Sequence, residues 1–170
     1  MSSLKIQTSN VFERNYNAPT KLVVNQGGTR SGKTYSLCQL LIVEAFEETG
    51  KRFSIVRKSL PSLKLSVMKD FFEILNAHGL YDETKHNKSD HTYTLNGNTC
   101  EFISLDQPQK KRGAKRHYLF CNDANDLMWE DLFQLLVRTE EKKYIDYNPS
   151  ETHHWLYDKV LNREDCTFVK

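Results

Sequence analysis

Residues 22–34 read LVVNQGGTRSGKT, a short apolar run that passes directly into a glycine-rich loop. Four loop residues match the pattern G-x-x-x-x-G-K-[ST]: Gly27, Gly32, Lys33 and Thr34. A stretch of helical periodicity follows at once. Strand, glycine-rich loop and helix in this order distinguish a phosphate-binding P-loop from a glycine-rich turn that matches by chance. The stretch therefore predicts a P-loop nucleotide-binding fold.

The chemistry of this loop suits a polyphosphate ligand. Backbone N–H groups must surround the phosphates, and small side chains permit the curvature and close approach that this requires. The N-terminus of the following helix adds the positive end of its dipole. We expect Lys33 to reach the β- and γ-phosphates and the Thr34 hydroxyl to bind Mg²⁺. The predicted nucleotide contacts are Gln26, Gly27, Gly28, Thr29, Arg30, Ser31, Gly32, Lys33 and Thr34.

Length and composition predict one packed domain without a membrane segment. The chain has 170 residues, 38% of them hydrophobic, and a mean hydropathy of −0.65. Such a length matches one domain of about 100 to 200 residues. The sequence contains no apolar run of membrane-spanning length and no signal-peptide pattern, so we expect a cytosolic protein. The net charge is only +2, so any contact with nucleic acid must be local.

Short β-rich runs alternate with stretches of helical periodicity, which is typical of an α/β fold with a mostly parallel sheet flanked by helices. The predicted strands are residues 22–25, 53–57, 100–105, 118–122 and 143–147. The predicted helices follow the glycine-rich loop as far as a stop at Gly50 and cover residues 62–78 and 129–138. Asn96-Gly97 predicts a β-hairpin, an antiparallel excursion on the parallel sheet. The final residues, REDCTFVK, form another β-like run, from which we expect a fold that is incomplete at its C-terminal end.

An apolar run at residues 118–121 leads into a polar pair, Asn122 and Asp123. Hydrolytic P-loop sites usually place an Asp for Mg²⁺ at such a strand end and a Glu for the attacking water beside it. Asn122 can act as a neutral metal ligand, and Asp123 is one methylene shorter than Glu. The pair predicts metal binding by both residues and orientation of the water by Asp123. The alternative is structural, with Asp123 or Asp126 capping a helix that begins near Met128.

Three motifs together resemble the ATPase half of a phage terminase large subunit, most closely the PBSX-type branch: GGTRSGKT, FCNDAN and YIDYNPS. The resemblance runs from about Lys21 to the end of the chain. It implies an additional-strand RecA-like fold that binds ATP and Mg²⁺. It also implies that residues 1–170 form one P-loop ATPase domain, incomplete at its C-terminus and without the nuclease half of the family.

The same resemblance implies a motor that couples ATP hydrolysis to the movement of double-stranded DNA into a capsid. The implied partners are the DNA, the portal protein and the small terminase subunit. Assembled subunits would form a ring, while the sequence leaves the oligomeric state of the isolated chain open, a monomer included. The implied location is the cytoplasm of an infected or prophage-carrying bacterium and, transiently, the portal of the procapsid.

The resemblance also assigns roles to single residues. Lys33 and Thr34 take the P-loop roles. Asp123 stands in the place of the catalytic Glu, and Asn122 stands where many relatives carry the metal-binding acid. Asn148 resembles the amide of the coupling motif, which senses the γ-phosphate. Asn-Pro after a strand is also an ordinary turn initiator, so both readings of Asn148 remain open.

Two arginines and a tyrosine complete the predicted site. Arg30 would contact a phosphate of its own chain, although the family more often carries this arginine one residue earlier, where Thr29 stands. Arg138 matches an arginine thought to act across a subunit interface; the alternative is a cation that complements a helix C-terminus. Tyr16 and Gln26 lie upstream of the loop, where relatives hold the adenine base.

One dense basic cluster occurs at residues 109–117, QKKRGAKRH. Such a run is either a solvated loop or a contact for DNA phosphates. Arg57 and Lys58, at the end of the second predicted strand, are a weaker case of the same kind.

Two rival functions remain open on sequence alone. One is a nucleotide-gated binding module with weak catalysis, because the Asn122–Asp123 pair departs from the usual acids. The other is a different P-loop enzyme, such as a helicase-like DNA translocase or a small-molecule kinase. A kinase should carry an arginine-rich lid, which is not evident in the sequence.

Overall fold

The computed structural model describes residues 5–28, 31–106, 114–149 and 155–170. Its strands are β1 Leu22–Gln26, β2 Arg52–Arg57, β3 His86–Asn87, β4 Thr92–Leu95, β5 Asn98–Ser104, β6 Arg116–Cys121, β7 Thr139–Tyr147 and β8 Cys166–Val169. Its α-helices are α1 Asn10–Tyr16, α2 Lys33–Glu47, α3 Leu60–Leu65, α4 Val67–Ala77 and α5 Trp129–Val137. Short 3₁₀ turns occur at Glu83–Lys85 and Ala124–Asp126, and a π-helix at Leu156–Val160.

All these strands belong to one sheet, in the order β3-β4-β5-β2-β6-β7-β1-β8. The run from β5 to β8 is parallel, whereas β3, β4 and β5 pair antiparallel. Asn96 and Gly97 connect β4 to β5 with φ angles of 52° and 76°, the backbone of a tight two-residue hairpin turn. The predicted α/β class, the mostly parallel sheet and the hairpin excursion are therefore confirmed.

Both faces of the sheet are covered, because the buried strands carry apolar side chains on each side. In β1, Val23 packs with the apolar side chains of α1, α2 and α4. Its neighbours Leu22 and Val24 point to the other face and pack with α5 and the π-helix. Two apolar layers thus hold the carboxyl ends of the central strands in a fixed arrangement.

The single helix predicted over residues 62–78 is wrong, because the chain forms α3 and α4 with a break between them. Ser66 interrupts the helix with φ −123° and ψ −92°. Its hydroxyl donates to the carbonyl of Ser62 at 2.7 Å and accepts from the Arg57 guanidinium. A serine hydroxyl that bonds locally competes with the regular helix. At the break, Ser66 contacts Arg57 at the end of β2, and its hydroxyl lies 3.4 Å from Asn122 Oδ1 directly after β6.

Candidate functional site

The candidate site lies where four neighbouring parallel strands end. β2, β6, β7 and β1 are adjacent in the sheet, and their carboxyl ends share one edge. Asn25 of β1 pairs with Asp146 of β7, and Gln26 pairs with Tyr147. The amide of Gly27 then donates to the carbonyl of Tyr147 at 3.2 Å, which continues the pairing into the loop. Ligands of open α/β sheets bind at such an edge.

The glycine-rich loop closes over the first turn of α2. Gly32 has a φ of 76° immediately before Lys33, a left-handed conformation that favours glycine. A Cβ added to Gly27 would lie 2.7 Å from the Ser31 hydroxyl, so the loop is too tight for a side chain there. Lys33 is 8% exposed, with its ammonium 3.5 Å from the Gly28 carbonyl. The described part of the predicted loop therefore has the curvature that a phosphate cradle needs, while Thr29 and Arg30 lie outside the described residues.

A fully buried carboxylate, Asp146, faces the same helix N-terminus. The Thr34 hydroxyl donates to its Oδ2 at 3.3 Å, and Asn122 Nδ2 lies 2.9 and 3.2 Å from its two oxygens. The backbone amide of Asp123 donates to Oδ1 through a short bond. Burial raises the pKa of Asp146, while the charge of Lys33 and these hydrogen bonds act in the opposite direction. Sequence reasoning missed Asp146; an acid at the end of a strand as apolar as YIDY was the available signal.

The predicted pair, Asn122 and Asp123, lies beside Asp146, but the two side chains point to different partners. Asn122 is 3% exposed and donates to Thr34 Oγ1 at 3.2 Å as well as to Asp146. Its Oδ1 accepts from Arg57 Nη1 at 3.1 Å. Asp123 has a left-handed backbone, φ 56°, and its carboxylate forms an ion pair with Arg57 Nη2 at 2.8 Å. Arg57 therefore contacts both residues of the pair, and Asn122 directs its nitrogen, not its oxygen, towards Thr34.

The structural alternative for the aspartates is not observed. The residue that precedes α5 is Met128, and no side-chain hydrogen bond caps that helix. Asp123 instead precedes the 3₁₀ turn Ala124–Asp126, again without a side-chain cap. Its side chain is turned to Arg57, as described above.

Asn148 follows β7 and is held by Asn125, a residue that the sequence did not single out. Asn125 Nδ2 donates to the Asn148 carbonyl at 2.6 Å, and the Asn148 amide donates to Asn125 Oδ1 at 2.8 Å. These paired bonds join the FCNDAN segment to the YIDYNPS segment. The predicted coupling residue thus has a fixed backbone beside the Asn122–Asp123 pair.

A cleft of about 410 Å³ opens in front of α2. Its lining residues are Ser31, Gly32, Lys33, Thr34, Tyr35, Leu65, Ser66 and Asp70. The loop, the α3–α4 break and the first turn of α2 therefore share one opening.

The donor set in this region fits a nucleoside phosphate with Mg²⁺. The loop offers a positive helix end and a buried ammonium, both of which favour phosphate. Thr34 and Asp146 offer hydroxyl and carboxylate oxygens, the ligands that Mg²⁺ prefers. Mg²⁺ in nucleotide sites is commonly held by few protein oxygens together with substrate phosphates. Lys33 and the loop would hold the phosphates, and Thr34 with a nearby acid would hold the metal.

Tyr16 is not brought to the loop. It lies at the end of α1, 44% exposed, and its hydroxyl donates to the Glu47 carboxylate at 3.0 Å. Glu47 is the last residue of α2, whereas Lys33 is the first. A rise of 1.5 Å per residue separates the two ends of that helix by about 21 Å. The position of Tyr16 therefore argues against its predicted adenine contact. Gln26, the other predicted adenine contact, lies beside the loop.

Arg138 lies at the amino end of β7, whereas the loop lies at the carboxyl ends of the parallel strands. It ends α5 and precedes β7, and it is exposed. The eight residues from Arg138 to Asp146 span about 26 Å of extended strand. Arg138 therefore cannot reach the loop of its own chain, which leaves action across a subunit interface as its predicted catalytic role.

Arg116 does not contribute to a DNA-binding surface, contrary to the basic-cluster interpretation. It is fully buried, and its guanidinium donates to Ser54 Oγ at 2.9 Å and to the Leu135 carbonyl at 3.1 Å. Arg116 is the first residue of β6, and its guanidinium is buried against β2 and α5 instead of facing solvent. Lys110, Lys111 and Arg112 lie outside the described residues.

Comparison with known proteins gives one family and a set of similar structures. The profile of the phage terminase large subunit family matches residues 20–168. The large terminase of a thermophilic bacteriophage, here called the thermophilic-phage terminase, has a TM-score of 0.83 at 16% identity, over 96% of this chain and 45% of that one. The same terminase in complex with ADP, in another crystal form, has a TM-score of 0.75 at 16% identity, with the same coverage. No curated protein sequence matches.

The large terminase ATPase domain of Thermus phage P74-26 is also similar, with a TM-score of 0.73 at 14% identity over 96% of this chain and 80% of that one. At these identities the likeness shows the fold alone, the RecA-like fold of terminase ATPase domains. The chain spans less than half the length of the thermophilic-phage terminase. Because the family profile covers most of its length, the chain belongs to the phage terminase large subunit family.

Proposed function

We propose that this chain is the ATP-hydrolysing motor domain of a DNA-packaging terminase. The observation that carries the proposal is the cradle between β1 and α2, where a tight glycine loop, the buried ammonium of Lys33 and the Thr34–Asp146 contact meet at one strand edge. The similar thermophilic-phage terminase has been solved in complex with ADP, and the P74-26 relative is described as an ATPase domain. We infer that ATP binds here with Mg²⁺.

Each part of the cradle has a role in the proposed hydrolysis. Loop amides and Lys33 hold the β- and γ-phosphates and fix the γ-phosphorus for in-line attack. When bound, Mg²⁺ neutralises charge that develops on the phosphate oxygens. Asp123 accepts a proton from the attacking water once its carboxylate leaves Arg57. Asn148, held by Asn125, lies at the end of β7, where loss of the γ-phosphate would be sensed.

The remaining parts of the proposal concern assembly. Arg138 would serve the site of a neighbouring subunit in a ring, since its own loop is out of reach. Double-stranded DNA, the portal and the small terminase subunit are the proposed partners, in the cytoplasm of a bacterial host and at the procapsid portal. Among the described residues, no helix combines the length and the apolar character needed to cross a membrane.

Phosphate release by the 170-residue chain tests this function. We expect Mg²⁺-dependent release from ATP that rises with protein concentration and with added duplex DNA. Lys33→Ala should abolish nucleotide binding. Asp123→Ala should bind nucleotide normally but lose about 10²-fold or more in rate, the usual contribution of a general base.

Lys88→Ala is the matched control, because Lys88 is exposed on the distant hairpin edge. It should keep the wild-type rate and affinity. Wild-type rates in Asp123→Ala would contradict the proposed hydrolysis. Transfer of phosphate to an added small-molecule acceptor instead of water would favour a kinase.

A second function, a nucleotide-gated binding module, is favoured by one observation. Arg57 donates to Asn122 Oδ1 and forms an ion pair with Asp123, so the one acid of the pair is held by a cation. Such a module would bind ATP without releasing phosphate at any protein or DNA concentration. Binding with measurable, Asp123-dependent release would exclude it.

A further inference from the structure

The site has an acid on an unexpected strand. P-loop enzymes commonly hold Mg²⁺ through the P-loop Ser or Thr and a separate Asp. Here β6 ends in Asn122, which has no charge to offer, whereas Asp146 on the neighbouring β7 reaches the P-loop threonine. We propose that Asp146 is the carboxylate that holds Mg²⁺ together with Thr34, in place of an acid at the end of β6. This inference rests on the proposed nucleotide binding at the loop.

The order of the strands explains why an aspartate on β7 can take the place of an acid at the end of β6. β7 lies between β6 and β1, so a side chain at the end of β7 is one strand nearer to the loop. The register pairs Asp146 with Asn25, the second-to-last residue of β1. Thr34 donates to Asp146 Oδ2 at 3.3 Å, a direct contact between the P-loop hydroxyl and this carboxylate. In the described part of the chain, the Asp123 carboxylate makes no such contact with Thr34.

Burial and charge favour a ligand role over a purely structural one. Asp146 is fully buried, and a buried carboxylate is costly unless it is paired or coordinates a metal. Among the described residues it has no salt bridge at contact distance. Its hydrogen bonds come from neutral donors, namely the Thr34 hydroxyl, the Asn122 amide and the Asp123 backbone. The charge of Lys33 acts on Asp146 without direct contact, and a divalent cation beside Thr34 would add a positive charge in contact with it.

The same geometry explains the asparagine at position 122. Its Nδ2 lies 2.9 Å from one Asp146 oxygen and 3.2 Å from the other. An aspartate there would bring a second carboxylate against the first in a buried site, where like charges repel strongly. Asparagine replaces that repulsion with a donated hydrogen bond. Asn122 and Asp146 therefore act as a matched pair, with the charge on β7.

The test is the Mg²⁺ dependence of nucleotide binding, measured by calorimetry with a non-hydrolysable ATP analogue. For the wild type we expect Mg²⁺ to tighten binding relative to binding in EDTA. Asp146→Asn should keep its affinity in EDTA and lose at least about 10-fold of the tightening, since loss of even a hydrogen-bonding partner of a metal ligand usually costs about 10- to 100-fold. Asn122→Asp combined with Asp146→Asn should recover a large part of it, because the acid returns to β6.

Asp90→Asn is the control, since Asp90 is exposed in the turn between β3 and β4 at the far edge of the sheet. It should behave like the wild type. If Mg²⁺ tightens binding of the analogue to Asp146→Asn to within twofold of its effect on the wild type, the inference is overturned. The proposed nucleotide binding would still stand. Failure of the wild-type chain to bind the analogue at all would instead overturn the proposed function.

A second measurement covers the case in which Asp146→Asn fails to fold. With Mn²⁺ and the analogue bound to wild-type protein whose aspartates carry ¹³C in the carboxyl group, electron–nuclear double resonance should show the direct coupling of a carboxylate coordinated to the metal. The coupling should persist in Asp123→Asn, which removes the neighbouring carboxylate. Absence of this coupling in the bound wild type, or its loss in Asp123→Asn, would place the metal on other ligands.

Discussion

Arg57 ties the end of β2 to the Asn122–Asp123 pair through both ends of its guanidinium. One nitrogen contacts Ser66 Oγ and Asn122 Oδ1, and the other contacts the Asp123 carboxylate. The Arg57 side chain is 16% exposed and that of Asp123 is 35% exposed, so the ion pair is only partly shielded from water. Arg57 thus occupies one of the two carboxylate oxygens of Asp123. We infer that opening of this ion pair frees the carboxylate for the proposed hydrolysis.

Replacing Arg57 with alanine removes the free energy needed to open the Arg57–Asp123 ion pair. A partly exposed ion pair contributes about 1 kcal/mol, so we expect DNA-independent phosphate release to rise roughly fivefold. Nucleotide affinity should change little, because Arg57 does not line the cleft. Arg52→Ala, at the other end of the same strand, should leave the rate unchanged. A tenfold fall in Arg57→Ala would mean that the guanidinium assists catalysis instead of restraining Asp123.

At the scale of elements, the ends of β6 and β7 are joined by one side chain. Asn125 holds the backbone of Asn148 on both its amide and its carbonyl. The link connects the segment that carries Asp123 with the segment that follows Asp146. We infer that movement at one strand end would pass to the other through these two bonds.

Asn125→Ala should weaken this link in two measurable ways. Loss of two hydrogen bonds should lower the free energy of unfolding by about 1 to 3 kcal/mol. Phosphate release should become less responsive to DNA, while analogue binding stays near wild type. Asn76→Ala removes a local helix bond on the exposed end of α4 and serves as the control. An unchanged DNA response in Asn125→Ala would contradict the coupling role of the link.

At the scale of the whole molecule, a buried glutamate makes the stability of the fold depend on pH. Glu44 of α2 is 8% exposed and accepts from the Tyr144 hydroxyl of β7. Burial raises the pKa of Glu44 to about 8, helped by Glu47 and Glu48 and opposed by the Tyr144 hydrogen bond and by Lys142. In the folded protein Glu44 thus stays protonated up to about pH 8, while in the unfolded chain it ionises near its ordinary pKa of 4.5.

The folded state therefore binds more protons than the unfolded state between these two pKa values, and stability falls as the pH rises through this window. We expect the wild type to lose roughly 3 to 5 kcal/mol from this group between about pH 4.5 and 8. Urea titrations at pH 5, 6.5 and 8 should show a much smaller loss in Glu44→Gln. Glu73→Gln, on an exposed position of α4, should follow the wild type. Equal pH dependence in wild type and Glu44→Gln would disprove the assignment.

Much of the architecture could be predicted from the sequence, because it follows from local patterns. The strand–loop–helix motif at residues 22–34, the alternation of β-rich and helical segments and the Asn96-Gly97 turn each specify backbone geometry over a few residues. The helix break at Ser66 was not predictable in the same way. The Ser66 hydroxyl bonds both to Ser62 in its own segment and to Arg57 from another element, and no periodicity of the apolar residues signals this break.

The candidate site likewise has one part that the local sequence predicts and another that depends on the tertiary structure. Glycines, a lysine and a threonine at fixed spacing specify a phosphate loop, since their roles depend on the backbone of one continuous segment. The Thr34–Asp146 contact and the ion pair of Arg57 with Asp123 depend instead on strand order and register. The remote position of Tyr16 depends on the packing of α1 against α2, and that of Arg138 on the length of β7. Residues far apart in the chain meet only when parallel strands end at a common edge, so the contact between the Asp146 carboxylate and Thr34 was decided by the assembled sheet.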